Sequence, residues 1–190
     1  MSGDNKRVLA VVGSPRKGGN TDILVDAILA GAKEAGATVE KVMLSDLDIA
    51  PRKACSACRT TGRCIQKDDM QGLLEKMKAS EIWVLGTPVY WWGPSAQLKA
   101  FVDRWYAKGD ETGTKEVFSG RRVILAVPLG DPDPKTARHV VGMFEDSLDY
   151  VGAELFASVL APGAYEMGDV REDPDVLEQA RRTGREAVNK

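Results

Sequence analysis

The chain has 190 residues, the size of one domain, and we predict a single domain over residues 1–190. Its 26 basic and 28 acidic residues are nearly balanced, so neither a basic surface for nucleic acid nor an acidic tail is indicated. No apolar run is long enough to cross a membrane, and the polar start lacks the apolar core of a signal peptide. We therefore expect a cytoplasmic protein that binds neither nucleic acid nor membrane.

Short apolar runs alternate with helical patterns along the chain. The runs predict strands at Arg7–Val12, Thr38–Leu44, Ile82–Leu85, Arg122–Val127 and Leu155–Leu160. Apolar residues at helical spacing follow each run and predict five helices, the first of which begins near Asp22 and ends at Gly36. This alternation indicates an α/β fold, a doubly wound five-stranded parallel sheet with helices on both faces.

The polarity of the strands predicts their order. The first, third and fourth strands are nearly continuous apolar runs, as central strands should be, whereas the second is more polar and fits an edge. A flavodoxin-like order 2-1-3-4-5 follows. It places a ligand crevice at the carboxyl ends of strands one and three.

The loop after the first strand, Gly13–Thr21, is rich in small and hydroxyl residues. It leads into a helix, whose first backbone N–H groups are unpaired and whose dipole favours an anion. The side chains that could hold a phosphate are Ser14, Arg16, Asn20 and Thr21. The alternative is a plain strand-to-helix turn with Asn20 or Thr21 as the N-cap.

The loop departs from two familiar phosphate motifs. A P-loop requires lysine and then serine or threonine where this chain has Gly19 and Asn20. A dinucleotide fingerprint requires glycine where this chain has Pro15, whose ring blocks close backbone approach. The loop therefore suits a single phosphate monoester.

The loop after the third strand carries three consecutive aromatic residues, Tyr90, Trp91 and Trp92. Soluble proteins rarely leave such a cluster bare, and the strand order places it beside Gly13–Thr21. An aromatic platform next to a phosphate loop suggests a flat ring attached to a phosphate. The alternative is that these residues pack under the next helix or form a subunit interface.

At this point the sequence resembles the NAD(P)H-dependent FMN reductase branch of the flavodoxin-like superfamily. Three segments carry the resemblance: GSPRKGGNT at 13–21, CSACRTTGRCIQKDDM at 55–70 and GTPVYWWGPSAQLKAFVDRW at 86–105. The resemblance implies FMN as the cofactor and NAD(P)H as the co-substrate. It also implies a homodimer or homotetramer, to which exposed Trp91, Trp92 and Trp105 would contribute an interface.

The resemblance assigns roles to three loops. It implies that Ser14, Arg16, Asn20 and Thr21 hold the FMN phosphate. It implies that the ring is lined by Pro88, Val89, Tyr90, Trp91 and Gly93. The loop after the fourth strand, Pro128–Asp131, would approach the other side of the ring through Leu129 and Gly130.

The three cysteines, Cys55, Cys58 and Cys64, lie too close together for a disulfide framework. They resemble the motif of iron–sulfur flavoproteins, with Arg52 at the position of the missing first cysteine. A [4Fe–4S] cluster would lack one thiolate, whereas zinc could take Asp68 or Asp69 as its fourth ligand. We predict a degenerate motif and no metal.

We therefore predict an FMN-dependent NAD(P)H oxidoreductase that passes electrons to a quinone, a flavin or a similar small-molecule or protein acceptor. The alternatives are a flavodoxin-type electron carrier and an iron–sulfur or zinc flavoprotein that uses the three cysteines. No catalytic side chain is predicted because the cofactor carries the chemistry, although Tyr90 or the single histidine, His139, could donate a proton. The acceptor and the choice between NADH and NADPH stay open.

Overall fold

The computed structural model describes residues 5–108 and 117–190. Five strands form one parallel sheet in the order β2-β1-β3-β4-β5. The strands are β1 (Arg7–Val12), β2 (Thr38–Met43), β3 (Ile82–Gly86), β4 (Arg122–Leu129) and β5 (Glu154–Pro162). The predicted fold class and strand order are confirmed, and the division of the chain into one domain over 1–190 stays a prediction.

Helices cover both faces of this sheet. The α-helices in the described residues are α1 (Asn20–Glu34), α2 (Ala57–Thr61), α3 (Met70–Lys78), α4 (Ala96–Asp103), α5 (Arg138–Val151) and α6 (Pro174–Asn189). Short 3₁₀ helices lie at Leu44–Asp46, Arg104–Lys108, Pro134–Ala137 and Asp169–Glu172. In the part of the chain that the structure covers, no helix combines the length and the apolar character that crossing a membrane requires.

The alternation of side chains along β1 divides the core into two layers. Leu9 and Val11 point into the layer that also contains apolar residues of α3, α4 and α5. Val8, Ala10 and Val12 point into the layer beneath α1 and α6. Because both faces of β1 are buried, its sequence is continuously apolar rather than alternating.

Trp105 corrects one expectation from the sequence. It is 4% exposed and packs against Phe101, Phe118 and Phe144 in the core, so it does not contribute an exposed surface to a subunit interface. Its helical spacing from Phe101 fits a core position as well as a surface one. The burial of its neighbours decides between the two.

One face of the sheet is covered by α1 and α6, which cross in close contact. A Cβ atom added to Gly31 of α1 would lie 1.9 Å from the carbonyl oxygen of Arg181 in α6. A Cβ atom added to Gly184 of α6 would lie 2.0 Å from the carbonyl oxygen of Ile28. The two backbones therefore touch, and this contact fixes α1, whose N-terminus borders the candidate site.

Gly31→Ala should destabilise the protein because the new methyl group can only be accommodated by moving α6. We expect a loss of about 1–3 kcal/mol in the free energy of unfolding, measured by urea denaturation. The matched control is Gly142→Ala in α5, where an added Cβ would meet no atom within 4 Å. At this position alanine should stabilise the helix by about 0.5–1 kcal/mol. Equal changes in the free energy of unfolding for the two variants would contradict the close contact between α1 and α6.

Candidate functional site

A cavity of about 850 Å³ opens at the carboxyl ends of the strands. Its volume falls within the range of about 300–1,000 Å³ typical of small-molecule sites. Four loops, which follow β1, β3, β4 and β5, supply its walls. The lining residues are Ser14, Arg16, Gly19, Asn20, Thr21, Pro88, Val89, Tyr90, Trp91, Trp92, Pro128, Leu129, Gly130, Asp131, Thr136, Ala164, Tyr165, Glu166 and Met167.

The loops after β1 and β3 are joined where they leave the sheet. The Gly13 amide donates to the Gly86 carbonyl at 2.7 Å, and the Ser95 hydroxyl donates to the Gly13 carbonyl at 2.7 Å. A Cβ atom on Gly13 would lie 2.7 Å from Cβ of Leu98 in α4, so only glycine fits this crossing. The first turn of α1 is thereby held beside the aromatic loop.

The N-terminus of α1 offers unpaired donors to the cavity. Its N-cap is Gly19, one residue before the predicted alternatives Asn20 and Thr21, and no side chain among the described residues caps it. Helix geometry leaves the first N–H groups without partners inside the helix, and the helix dipole adds a positive potential there. Because Asn20 and Thr21 line the cavity, an anion bound at this end could accept hydrogen bonds from these backbone N–H groups.

A carboxylate behind the first loop fixes its shape. Asp22 of α1 accepts a hydrogen bond from the Gly18 amide at 2.7 Å and one from Lys41 Nζ at 2.6 Å. Burial alone would raise the pKa of Asp22, but the bonds from Lys41 and Gly18 outweigh burial and hold the pKa below its usual range. Asp22 is therefore charged at neutral pH, and Lys41 balances that charge.

The aromatic loop is a tight hairpin. Tyr90 and Gly93 exchange backbone hydrogen bonds at 2.9 and 3.0 Å, with Trp91 and Trp92 as the two turn residues. Both tryptophans have positive φ angles, 49° and 62°, which bulky residues rarely adopt. Trp91 is 91% exposed, so the hairpin presents a bare aromatic ring at the rim of the cavity.

The base of this hairpin is anchored by Thr87, which is fully buried. Its hydroxyl accepts from the Ser95 amide at 3.0 Å and donates to the Pro88 carbonyl at 2.9 Å. Ser95 in turn caps α4 by accepting from the Leu98 amide at 3.2 Å. The hairpin is therefore held at both ends by the helix and strand that flank it.

Another part of the wall comes from the loops after β4 and β5. The Ala164 amide donates to the Leu129 carbonyl at 3.0 Å, and the Gly163 amide donates to the Asp131 carbonyl at 3.1 Å. The Tyr165 side chain lies directly over Gly130, where an added Cβ would approach its ring to 2.8 Å. In this wall the exposed ring of Tyr165 therefore lies against the backbone of Gly130.

The carboxylate of Asp131 holds the turn that follows β4. It accepts from the Asp133 amide at 2.9 Å and from the Thr136 hydroxyl at 2.8 Å. These two hydrogen bonds hold the pKa of Asp131 below its usual range. A negative charge therefore lies in the part of the cavity wall that follows β4.

The structure brings ten of the eleven predicted site residues to this one cavity. They are Ser14, Arg16, Asn20, Thr21, Pro88, Val89, Tyr90, Trp91, Leu129 and Gly130. Gly93 lies at the base of the hairpin instead, where it pairs with Tyr90. His139 lies on α5, is exposed and does not line the cavity. The ligand-binding roles of these residues stay predictions.

Sequence reasoning missed the wall after β5, which consists of Ala164–Met167, and it also missed Thr136. One signal was available. Tyr165 is an aromatic residue just beyond the last predicted strand, and the carboxyl ends of parallel strands share one edge of the sheet.

Asn20 differs from the prediction in one respect. Its amide nitrogen donates to the carbonyls of Ala164 and Glu166 at 3.1 and 2.7 Å. Its amide oxygen accepts from the amides of Gly168 and Val170 at 2.9 and 3.3 Å. Asn20 borders the cavity, but its side chain is directed to the loop after β5 and offers no free donor to a phosphate in this structure.

The cysteine segment is organised by a buried ion pair. Arg104 donates to Asp68 at 2.5 and 3.0 Å, and both side chains are buried. Arg104 also donates to the Ala50 carbonyl at 2.8 Å and reaches Cys64 Sγ at 3.5 Å. Burial alone would raise the pKa of Asp68, but the Arg104 guanidinium outweighs it and holds that pKa below its usual range.

The residues of this segment do not fit a four-thiolate cluster. Cys55 is exposed and Cys58 is buried, and the guanidinium of Arg52, at the position of the missing thiolate, stacks 4.1 Å from the Tyr106 ring centre. The two candidate fourth ligands have other partners, since Asp68 pairs with Arg104 and Asp69 accepts from the Asp48 amide. Within residues 5–108 and 117–190, no group of three or more metal-binding side chains could hold a metal ion.

Comparison with known proteins supports one family. The family described as NADPH-dependent FMN reductase matches residues 6–133. An iron–sulfur flavoprotein of Archaeoglobus fulgidus is 32% identical over 162 residues, which cover 85% of this chain and 68% of that protein. A Bacillus subtilis protein provisionally named an NAD(P)H-dependent FMN-containing oxidoreductase is 26% identical over 179 residues. The alignment covers 93% of this chain and 95% of that protein.

The matches to several other iron–sulfur flavoproteins span only about half the length of this chain and of those relatives. Among solved structures, an NAD(P)H:quinone oxidoreductase from Methanothermobacter marburgensis superimposes with a TM-score of 0.76. It covers 95% of both chains at 19% identity. At that identity the likeness shows the shared fold.

Asp68→Asn should destabilise the fold because it leaves the buried guanidinium of Arg104 without a counter-charge. Removing one partner of a buried pair costs about 3–5 kcal/mol, and we expect a loss of this size at neutral pH in urea denaturation. The folded-state pKa of Asp68 is lowered, so the contribution of its carboxylate is present above the unfolded pKa and is lost as the pH falls through the folded pKa. The difference in the free energy of unfolding between Asp68→Asn and wild type should therefore become smaller below about pH 4.

The matched control is Asp103→Asn, which removes a neighbouring carboxylate that pairs with Lys99 on the exposed face of α4. Exposed pairs at this spacing contribute about 0.3–0.5 kcal/mol, so the control should stay close to wild type. A difference between Asp68→Asn and wild type that is constant with pH would contradict the ion-pair assignment.

Proposed function

This chain belongs to the NADPH-dependent FMN reductase family, and from that membership we propose that it binds FMN in the 850 Å³ cavity and oxidises NAD(P)H. The acceptor we propose is a quinone, a flavin or a similar small molecule. One observation carries the proposal: an uncapped helix N-terminus and an exposed aromatic hairpin line the same cavity.

The chemistry of the phosphate end supports FMN. A phosphate monoester carries a charge of about −1.5 to −2 at neutral pH. The first turn of α1 offers backbone donors, Ser14 and Thr21 offer hydroxyls, and Arg16 offers a guanidinium. The Arg16 side chain is exposed and forms no ion pair with any described residue, so it is free to pair with an anion.

The chemistry of the other end supports a flat ring. Pro88, Val89 and the hairpin supply an apolar and aromatic wall, and Tyr165 over Gly130 supplies the facing wall. FMN, when bound, supplies the redox chemistry, and the protein positions it and sets its surroundings. On this proposal Trp91 and Tyr165 stand on either side of the entrance through which nicotinamide and acceptor reach the ring.

The cytoplasmic location and the assembly of two or four chains are further parts of the proposal. The exposed pair Trp91 and Trp92 supports an assembly because bare tryptophan rings are commonly covered by a ligand or by a partner. The alternative is that the chain is an electron carrier of the flavodoxin type, and the reduction experiment below separates a carrier from an enzyme.

Arg16→Ala should weaken FMN binding because one charge-assisted hydrogen bond to the phosphate is lost. Such a bond is worth about 1.5–3 kcal/mol, so we expect at least about a tenfold rise in the dissociation constant. Quenching of flavin fluorescence on titration measures it. The matched control is Lys17→Ala, which removes an equal charge from the next residue, where it pairs with Asp46 at 2.9 Å outside the cavity. Similar affinities for both variants would refute the assignment of Arg16.

Anaerobic stopped-flow mixing with NADPH and with NADH tests the reaction itself. We expect the visible absorbance of the bound flavin to bleach with at least one nicotinamide and to return when a quinone is added. Because flavodoxin-type carriers receive electrons from protein partners, bleaching with neither nicotinamide would remove the enzyme assignment and favour the carrier.

A further inference from the structure

Asn20 uses its whole hydrogen-bonding capacity on one distant loop. Its two N–H groups reach the carbonyls of Ala164 and Glu166, and its oxygen receives the amides of Gly168 and Val170. A side-chain amide has two donors and one oxygen with two lone pairs, so these four bonds saturate it. The partners lie between 144 and 150 positions away in the sequence.

The tip of the loop that Asn20 grips, residues 165–168, has little apolar packing of its own, whereas Ala164 packs against the core and Val170 is buried in it. Tyr165 is 75% exposed and Met167 is 61% exposed. Within the loop, the Asp169 carboxylate accepts from the amides of Tyr165 and Glu166 at 3.0 and 2.6 Å, which shapes the turn but does not tie it to the rest of the protein. Segments with few buried contacts open at low free energy, so the position of this tip depends on its polar anchors.

The same loop spans the cavity from its phosphate end to its ring end. The Met167 side chain lies near Gly18 of the first loop, and the Tyr165 ring lies over Gly130 of the loop after β4. A displacement of the loop tip would therefore remove the part of the wall that Tyr165 supplies. Among the described residues, neither Arg16 nor Ser14 forms a hydrogen bond to this loop, so the phosphate end does not depend on it in the same way.

We infer that Asn20 is a positioning residue: it clamps the tip of the loop, residues 165–168, so that Tyr165 forms a second wall of the flavin-ring site. This inference rests on the proposed FMN binding for the identity of the ring, but the clamp itself does not. It replaces the expected role of the Asn20 side chain as a phosphate donor. Asn20 thereby links the loop that holds the phosphate to the wall that holds the ring.

The clamp is tested without any flavin by hydrogen exchange of Asn20→Ala, with Asn5→Ala as the exposed control. Loss of the side-chain oxygen should speed exchange of the Gly168 and Val170 amides about tenfold or more, while amides of the central strands stay protected. Asn20→Asp keeps that oxygen and loses both donors, so these two amides should stay closer to wild type than in Asn20→Ala. Unchanged exchange in Asn20→Ala would overturn the clamp, whether or not the protein binds FMN.

The effect on the ring site is tested by comparing FMN with riboflavin, which lacks the phosphate. If Asn20 acts through the loop, Asn20→Ala should weaken both ligands by a similar factor, and Tyr165→Ala should do the same. Arg16→Ala should weaken FMN alone. Weakening of FMN alone by Asn20→Ala would overturn the inference and restore Asn20 as a phosphate ligand.

Discussion

The candidate site depends on the contact between Gly13 and Gly86 at the ends of β1 and β3. Their hydrogen bond extends the β-ladder by one step, and neither position has room for a side chain. A Cβ atom on Gly86 would lie 2.6 Å from Val25 of α1, and one on Gly13 would lie 2.7 Å from Leu98 of α4. Helices α1 and α4 therefore pack against this contact from opposite faces of the sheet. Because neighbouring strands lie about 4.8 Å apart, the N-terminus of α1 and the start of the aromatic hairpin become neighbours.

The features that sequence could predict are those with a local signal. Buried parallel strands are apolar throughout, so β1, β3 and β4 were recognisable, and the small residues of Gly13–Thr21 marked the first loop. Two of the departures from expectation involve information that no local pattern contains. Trp105 has the helical spacing of a surface residue and of a core residue alike. The partners of Asn20 lie about three quarters of the chain away, and only the shared sheet edge brings them together.

The path of the cysteine segment is fixed by residues other than its cysteines. Cys55, Cys58 and Cys64 keep the spacing that resembles a cluster site, yet the segment is fixed by an ion pair between Asp68 and Arg104. A buried pair constrains geometry strongly, because separating its members leaves a charge without solvent or partner. Arg104 therefore joins this loop to the end of α4, and its bonds to Asp68 and to the Ala50 carbonyl fix the path of the loop.

The hairpin at Trp91 and Trp92 has a strained backbone. Left-handed conformations at non-glycine residues cost about 1–3 kcal/mol each, and here two bulky residues adopt them in succession. Packing does not offset this cost, since Trp91 is almost wholly exposed. Hydrogen bonds offset this cost instead. Tyr90 and Gly93 close the turn through their backbones, and Thr87 bonds to Ser95 at its base. A turn of asparagine and glycine would reach the same geometry with less strain, so the fold itself gives no reason for tryptophan at these two positions. On the proposed function, the helix N-terminus would bind the phosphate and the hairpin would contact the flat ring, which would account for the two tryptophans.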